Sequence, residues 1–285
     1  MNSNDNAEPR FLVTGGTGKT GSRVAARLAA AGHEVRVGSR AAQIPFDWTD
    51  RATWGPALAD VDAVYLAYQP DLAAPGATDI IRAFSAVAAA GGVRKLVLLS
   101  GRGEPEALEC ERIVRESGLA WTVVRCAFFA QNFSEGAFTD YILSGAVALP
   151  NGDVAEPFVH ADDIADVAVA ALTESGHDGE VYELTGPRAL SFAEATAEIA
   201  LATGRDIGFV PITRTEFVAG LTEYQVPADE ISLLDYLFGT LLDGRNSAAT
   251  DGVRRALGRE GKDFSEYVAE TARAGVWAVP EVPVQ

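Results

Sequence analysis

The sequence predicts an α/β protein: a Rossmann-like, doubly wound parallel sheet with a smaller, mainly helical C-terminal lobe. Short apolar runs recur along the first 125 residues, helical patterns separate them, and a glycine-rich turn follows the first run. Strands that are buried on both faces have near-continuous apolar sequences, so this alternation indicates a parallel sheet covered by helices on each side. Ligands of such sheets bind beyond the carboxyl ends of the strands.

Five strands are predicted before residue 126, at residues 10–14, 34–38, 62–67, 95–99 and 121–125. A helix is predicted over 161–174, where apolar residues recur at helical spacing, and a further strand over 180–185. Asp162 and Asp163 fall in the first turn of that helix. Because carboxylates there offset the helix dipole, we interpret them as helix-start residues rather than an acid–base pair.

The last hundred residues are predicted to be mainly helical. Ser191 with Glu194 and Thr213 with Glu216 match the capping box that opens a helix, and residues 206–211 are predicted to be extended. We therefore expect a disordered tail at 1–9, a Rossmann-like lobe with the parallel sheet at 10–186 and a second, mainly helical lobe at 187–285. Within the first lobe, residues 126–156 are expected to contribute partly to the ligand-binding cleft.

Composition narrows the class of protein. The chain has 285 residues, 48% of them apolar and 22% charged, and a net charge of −17. No apolar run approaches the roughly 18 residues of a membrane helix, and the first residues lack a signal-peptide pattern, so we expect a cytoplasmic protein without a membrane partner. The negative charge argues against nucleic acid as a partner. Cys110 and Cys126 are too few for a metal site and are interpreted as buried thiols; whether the chain is a monomer or a homodimer is left open.

The stretch LVTGGTGKTG at 12–21 resembles a phosphate-binding loop but lacks one of its glycines. A P-loop needs glycine five residues before Gly-Lys-Thr, and Val13 occupies that position. Gly15, Gly18 and Gly21 instead follow a strand and precede a helix at three-residue spacing. This arrangement predicts a dinucleotide turn in which Gly15, Thr17, Gly18, Lys19 and Thr20 bind the pyrophosphate.

The end of the second predicted strand indicates which coenzyme is preferred. NAD-binding units carry an acidic residue there for the ribose 2′-hydroxyl, whereas this chain has Gly38-Ser39-Arg40. Arg40 can pair with a 2′-phosphate while Ser39 donates a hydrogen bond, so we expect NADPH to be preferred over NADH. Aspartate at position 38 is expected to repel that phosphate.

Several further motifs occur in one order along residues 10 to about 210. They are GGTGKTGSR (15–23), FDW (46–48), TWG (53–55), LVLLS (96–100), SGLAWTVVR (117–125), FFAQNFSE (128–135), PFVHADDIADVA (157–168) and YELTGP (182–187). Together they resemble the NmrA-like atypical short-chain reductases, and most of all the ergot-alkaloid (agroclavine dehydrogenase-like) type. NADPH quinone reductases and triphenylmethane reductase are similar but further off.

The resemblance implies NADPH bound between a Rossmann lobe and a helical lobe, and a small-molecule substrate. It places Asp47 and Trp48 near the adenine. It assigns further positions to the nicotinamide half of the cofactor and to the substrate: Ala67, Tyr68 and Gln69 along the nicotinamide ribose, Ser100, Gly101 and Arg102 at the end of the fourth strand, and Phe128, Phe129, Gln131 and Asn132, with Tyr68, at the substrate. Gln131 departs from the family pattern, which often has Glu there. The two phenylalanines are equally compatible with a core role.

The chain lacks the Tyr-x-x-x-Lys pair of standard short-chain dehydrogenases, because none of its seven tyrosines has a lysine four residues later. Where related reductases carry lysine it has Arg112, a poor proton donor. The easiest acceptors are then those that need no added proton, such as an iminium ion, a cationic dye or a quinone. His160, just before a predicted helix, is the weak candidate for a catalytic residue.

The sequence therefore predicts an NADPH-dependent reductase of a small electron-poor acceptor, acting in secondary or xenobiotic metabolism. A redox sensor that binds NADP(H) without turnover fits the missing Tyr-Lys pair equally well. A non-redox isomerase or cyclase on the same fold is a third reading.

Overall fold

The computed structural model describes residues 9–136 and 138–279, which form two compact units. Within this part of the chain, unit 1 comprises residues 9–126, 161–184 and 251–259. Unit 2 comprises residues 127–160 (except 137), 185–250 and 260–279. Residues 127–160 thus belong with the C-terminal segments and 251–259 with the N-terminal ones. The predicted tail at 1–9 lies outside the described residues except for Pro9.

The described residues form ten strands and eleven α-helices. The strands are β1 (Arg10–Thr14), β2 (Glu34–Gly38), β3 (Ala63–Leu66), β4 (Lys95–Gly101), β5 (Ala120–Cys126), β6 (Ala146–Leu149), β7 (Ala155–Glu156), β8 (Glu180–Leu184), β9 (Leu190–Ser191) and β10 (Gly208–Pro211). The helices are α1 (Lys19–Ala30), α2 (Trp54–Leu58), α3 (Ala77–Ala90), α4 (Pro105–Arg115), α5 (Phe138–Ser144), α6 (Ala161–Thr173), α7 (Phe192–Thr203), α8 (Arg214–Glu223), α9 (Ala228–Tyr236), α10 (Gly252–Leu257) and α11 (Phe264–Arg273).

Unit 1 contains a six-stranded parallel sheet in the order β2-β1-β3-β4-β5-β8. The predicted Rossmann-like fold class is confirmed, and the strands lie within one or two residues of their predicted bounds. From β1 the chain passes outward to β2 and then returns to β3 on the other side of β1. Strand order therefore reverses between β1 and β3, which is where open α/β sheets bind ligands.

The core of unit 1 owes much of its volume to aromatic rings. Trp48 makes edge contacts with Phe46, Trp54 and Phe84 at centroid distances of 4.8, 6.1 and 5.0 Å. Burying rings of this size contributes about 1.5–3 kcal/mol each. The segment between β2 and β3, which contains the FDW motif, is therefore anchored in the core.

Two acidic residues at the start of α6 behave as predicted and also make ion pairs that the sequence did not reveal. Asp162 and Asp163 lie in the first turn of the helix. Asp162 accepts from Arg27 at 3.0 Å, while the fully buried Asp163 accepts from Arg259 at 2.6 Å. Arg259 comes from the segment 251–259, which these contacts tie to unit 1.

Unit 2 has two small sheets, β6 paired with β10 in parallel and β7 paired with β9 in antiparallel orientation. Its core is a cluster of phenylalanines: Phe133, Phe138, Phe158, Phe192, Phe238 and Phe264. Both predicted capping boxes are confirmed at the starts of α7 and α8, and Asp263 with Glu266 forms a third at α11. No helix among the described residues is both long and apolar enough to cross a membrane.

The two cysteines are buried thiols, as predicted. Cys110 lies in α4 and Cys126 at the end of β5, and neither forms a disulfide.

Candidate functional site

The turn after β1 is held against the end of the neighbouring strand β3. The Thr14 hydroxyl donates to the carbonyl oxygens of Tyr65 and Ala67, both at 3.1 Å, and accepts from the Ala67 N–H at 2.8 Å. Gly15 then adopts the left-handed conformation, with φ of 60°. Because such a φ is unfavourable for residues with a Cβ, glycine is required where the strand turns into α1.

Glycines also allow the turn and helix α1 to approach closely. A Cβ on Gly21 would lie 2.2 Å from the Gly15 carbonyl oxygen, and one on Gly16 would lie 2.7 Å from Val37 Cγ1. Gly21 therefore permits contact between the helix and the turn, rather than between the helix and the strand. Gly18 is less confined, with 3.3 Å between its ideal Cβ and the Gly15 oxygen.

The N-terminus of α1 has no side-chain cap. Its N-cap residue is Gly18, and its first turn contains no acidic residue. Thr17 and Gly18 are exposed and Lys19 is half-buried, whereas Thr20 is buried with its hydroxyl against that of Tyr65. An uncapped helix start that carries a lysine and backbone N–H groups is chemically suited to an anion such as a pyrophosphate.

The end of β2 presents Ser39 and Arg40 beyond a crowded Gly38. Arg40 is exposed, and the Ser39 hydroxyl accepts from the Ala41 N–H at 3.2 Å. A Cβ on Gly38 would lie 3.0 Å from both Thr14 Cα and the Val13 oxygen. Aspartate at position 38 would therefore crowd β1 in addition to repelling a 2′-phosphate, so Ser39 is the better position at which to test the effect of charge.

The side chains predicted to lie near the adenine and the nicotinamide ribose differ in their exposure and hydrogen bonding. They are Asp47, Trp48, Tyr68 and Gln69. The Asp47 carboxylate accepts from the Thr49 N–H and hydroxyl, both at 2.8 Å, and these hydrogen bonds hold the pKa of Asp47 below its usual value. Trp48 is only 8% exposed and lies 5.2 Å from the ring of Tyr68. Tyr68 is half-buried and Gln69 exposed, so both extend from β3 beyond the sheet edge.

Polar side chains at the end of β4 belong to a buried ionic network. The Ser100 hydroxyl donates to Glu111 at 2.7 Å, and Arg125 donates to both oxygens of the same carboxylate at 2.8 and 2.5 Å. The Arg102 guanidinium donates to Glu183 at 2.6 Å. Ser100 and Arg102 thus have protein partners on neighbouring elements, and Gly101 lies between them with no side chain.

Four of the five predicted substrate residues lie in unit 2, and the fifth, Tyr68, lies in unit 1. Phe128 packs on Phe192 and Phe238, at centroid distances of 5.7 and 5.5 Å, and the backbone of Phe129 pairs with Val159. Asn132 is half-buried, in the 3₁₀ turn that follows. Phe128 is therefore at least partly a core residue.

Gln131 and His160 form a buried pair in the same unit. They are 2% and 4% exposed, and the Gln131 amide nitrogen lies 3.1 Å from His160 Nε2. The His160 ring also packs against Tyr267 at 5.9 Å. His160 directly precedes α6, as predicted, and its interactions are those of an ordered core residue.

Arg112, which stands where related reductases carry lysine, lies on the exposed part of α4. It forms ion pairs with Glu109 at 2.6 Å and with Glu116, one turn away on either side. These pairings raise its already high pKa. Arg112 is thus excluded as a proton donor, in agreement with the expectation from its residue type.

A family model described as NAD(P)H-binding matches residues 15–175, from the glycine turn to just beyond α6. The chain belongs to this NAD(P)H-binding family. Its relatives place it in the NmrA-like group that the sequence motifs predicted.

Three relatives align over nearly their whole lengths. An oxidoreductase of Bacillus subtilis described as uncharacterized, YesF, is 33% identical over 94% of this chain and 96% of its own. The (4-alkanoyl-5-oxo-2,5-dihydrofuran-3-yl)methyl phosphate reductase of Streptomyces griseus is 35% identical, with 93% and 98% covered. Agroclavine dehydrogenase of Claviceps fusiformis is 32% identical, with 94% and 98% covered. These relatives support NAD(P)H-dependent reduction as the activity of this chain.

Two solved structures share the fold. Triphenylmethane reductase of Citrobacter sp., complexed with NADP(H), superposes with a TM-score of 0.72 at 19% identity, covering 92% of this chain and 99% of that one. NmrA, a negative transcriptional regulator in complex with NAD, superposes with a TM-score of 0.68 at 16% identity, covering 95% and 97%.

Residues of unit 1 fit a nicotinamide dinucleotide. The left-handed Gly15 and the uncapped start of α1 suit the pyrophosphate. The exposed Arg40 at the end of β2 suits a phosphate on the ribose. Sequence reasoning missed Gly16, although the Gly-Gly pair was a signal. It also missed the carboxyl pair of Asp71 and Glu104 at the ends of β3 and β4, for which the sequence offered no periodic or motif signal.

Proposed function

We propose that the chain is an NADPH-dependent reductase that transfers hydride to a small electron-poor acceptor: an iminium ion, a quinone or an aromatic ketone, in secondary or xenobiotic metabolism. The observation that carries this proposal is the glycine turn that joins β1 to an uncapped α1 where strand order reverses. When bound, NADPH supplies the hydride, and the protein supplies binding and orientation.

The cofactor residues are proposed from this geometry and from the family resemblance. Backbone groups from Gly15 to Thr20 bind the pyrophosphate, and Ser39 with Arg40 holds the 2′-phosphate. The strand ends provide the remaining contacts: Asp47, Trp48, Ala67, Tyr68, Gln69, Ser100, Gly101 and Arg102. Phe128, Phe129, Gln131 and Asn132 are proposed, with Tyr68, to contact the substrate.

The proposal is tested by mixing the protein with NADPH and a panel of iminium ions, quinones, aromatic ketones and cationic dyes. The absorbance of the reduced nicotinamide should fall with at least one of these acceptor classes. Tight binding without any consumption would instead favour an NADP(H) sensor, the second candidate. That candidate is supported by the missing Tyr-x-x-x-Lys pair and by the structural likeness to a transcriptional regulator.

Gly18→Val should weaken NADPH binding at least about tenfold, or about 1.4 kcal/mol. The valine side chain would occupy the space where the pyrophosphate meets the exposed backbone. The fold should tolerate the substitution, because the nearest protein atom is 3.3 Å from the added Cβ and a small shift relieves that contact. Far-ultraviolet circular dichroism should remain native. The measurement is a thermal-shift titration with NADPH, with Mg-ATP alongside.

Gly220→Val is the matched control for this substitution, since an added Cβ in α8 meets nothing within 4 Å. It should leave the response to NADPH unchanged. Mg-ATP should stabilise neither the wild-type protein nor Gly18→Val, because Val13 occupies the position where a P-loop needs glycine. Stabilisation by Mg-ATP alone, or a normal NADPH response in Gly18→Val, would contradict the dinucleotide assignment.

Ser39→Asp should change the ratio of NADPH to NADH affinity by about tenfold in favour of NADH. The carboxylate would repel a 2′-phosphate and could accept from a 2′-hydroxyl, and position 39 avoids the crowding found at Gly38. Ser39→Asn, similar in shape but neutral, is the control and should change the ratio much less. Equal effects of the two substitutions would show that charge at this strand end does not select the coenzyme.

A further inference from the structure

Two carboxyl groups meet beyond the ends of adjacent strands in unit 1. Asp71 follows β3 and Glu104 follows β4, and these strands are parallel neighbours, so their carboxyl ends lie at one edge of the sheet. The two carboxyl groups lie close enough for each to shift the pKa of the other, and a hydrogen bond between two carboxyl groups requires a proton on one of them. The Asp71 carboxyl also accepts from the Ala73 N–H at 2.8 Å.

Glu104 is the buried member of this pair. It is only 6% exposed, and its Oε2 is buried without a hydrogen-bond partner. Its carboxyl group fills the space that a side chain at Gly101 would occupy, since an ideal Cβ there would lie 2.2 Å from Oε1 and 2.4 Å from Oε2. Because Gly101 has no side chain, the Glu104 carboxyl can pack against the end of β4. This is the strand end that is proposed to bind the cofactor.

The charges around the pair favour retention of a proton. Glu106, in the first turn of α4, and Cys110, one turn further on, are the other titratable groups that act on it, and neither is a cation. Among the described residues, neither carboxyl is ion-paired with arginine or lysine. Burial raises the pKa of Glu104 to about 9, and the charge of Asp71 acts in the same direction. Glu104 therefore carries the proton at neutral pH and donates to the Asp71 carboxylate.

We propose that the Asp71–Glu104 pair is the proton donor for acceptors whose oxygen must be protonated, and that it replaces the missing tyrosine–lysine pair. The inference rests on the proposed function. It supplies the proton that the aromatic ketones of the proposed substrate class require and that iminium ions and cationic dyes do not. Asp71, the more exposed member, faces the acceptor, and Glu104 holds the proton in reserve.

The step balances in atoms and electrons. Hydride reaches the carbonyl carbon with two electrons, the C–O π bond breaks, and the oxygen gains an electron pair. The proton of Glu104 passes to the Asp71 carboxylate, and Asp71 passes a proton to that oxygen, so that an alcohol and a doubly ionised pair remain. Solvent then returns one proton to the pair. A cationic dye needs no such step, because hydride alone makes it neutral.

The experiment compares reduction of an aryl ketone with reduction of a cationic triphenylmethane dye by wild-type protein and by Glu104→Gln. The wild type should reduce both acceptors. The variant keeps an N–H donor for Asp71 but cannot release a proton, so kcat on the ketone should fall about 100-fold or more. On the dye it should stay within about twofold. Glu116→Gln, at the exposed far end of α4, should change neither rate.

A second measurement locates the proton without turnover. A folded-state pKa raised to about 9 adds stability that is complete below the unfolded value and is lost as pH rises through about 9. The free energy of unfolding of wild type, relative to that of Glu104→Gln, should therefore fall between about pH 5 and about pH 9. If Glu104→Gln does not fold, Asp71→Asn replaces it in the rate comparison.

Three outcomes would overturn the inference: reduction of the dye but not of the ketone by wild type, equal losses on both acceptors in the variant, or a pH-independent stability difference. Absence of turnover with every acceptor would instead count against the proposed function. In that case the stability difference still decides whether Glu104 holds a proton.

Discussion

Glu111→Ala should lower the free energy of unfolding by about 3 kcal/mol, at the lower end of the roughly 3–5 kcal/mol lost when a buried ion pair is broken. Glu111 is 2% exposed and accepts from both Arg125 and Ser100. Its removal would leave the Arg125 guanidinium with only Glu183, at 3.3 Å, and the Ser100 hydroxyl without its acceptor. Urea unfolding followed by circular dichroism measures the change.

Glu109→Ala is the matched control, because it removes a glutamate from the same helix that is also paired with an arginine. The Glu109–Arg112 pair lies in solvent, where screening leaves little net stabilisation, so the midpoint should hardly move. Equal destabilisation by the two substitutions would mean that loss of any arginine-paired glutamate from α4, rather than loss of the buried network, determines the change, because alanine itself favours a helix. The network fixes the ends of β4, β5 and β8 where the cofactor is proposed to bind.

Arg40→Ala should remove most of the preference for NADPH over NADH, a loss of about 1.5–3 kcal/mol in NADPH binding, or about 10- to 150-fold. Arg40 is the exposed cation at the end of β2, and a charge-assisted hydrogen bond to a 2′-phosphate would be lost. NADH affinity should change little, because that coenzyme lacks the phosphate. Titration with each coenzyme measures both constants.

Arg273→Ala, an exposed arginine in the last turn of α11, controls for the general loss of one positive charge. It should leave the coenzyme ratio unchanged. Equal affinities of the wild-type protein for NADPH and NADH would refute the assignment of Arg40.

Local chemistry made the sheet and the glycine turn predictable from sequence. Residues 10–14 and 34–38 were predicted to the residue, because an apolar run marks the buried strand β1 and alternating valines mark the half-buried edge strand β2. Gly15 and Gly21 were predicted as part of a turn between a strand and a helix, and the structure gives both a steric reason. The capping boxes were predictable for the same reason, since their hydrogen bonds join residues three apart.

Pairings between distant residues were not predictable from one sequence. Arg259 lies 96 residues from Asp163 in the chain, and only the fold shows that this ion pair joins residues 251–259 to unit 1. Asp71 and Glu104 likewise follow different strands, and no helical or strand periodicity in the sequence links the two residues. Tertiary burial, which no local pattern encodes, also determines that Trp48 and Gln131 are largely enclosed.

Transfer of deuterium from NADPH that carries deuterium in place of both hydrogens at the nicotinamide C4 is the most direct test of the reductase assignment. The protein is incubated with the labelled cofactor and the acceptor panel, and products are examined by mass spectrometry. At least one reduced acceptor should carry one deuterium at the carbon that received hydride, and Gly18→Val should form much less of this product at subsaturating cofactor. Stabilisation of the protein by NADPH, with neither oxidation of the cofactor nor labelled product from any acceptor class, would contradict the reductase assignment and identify a binding protein without turnover.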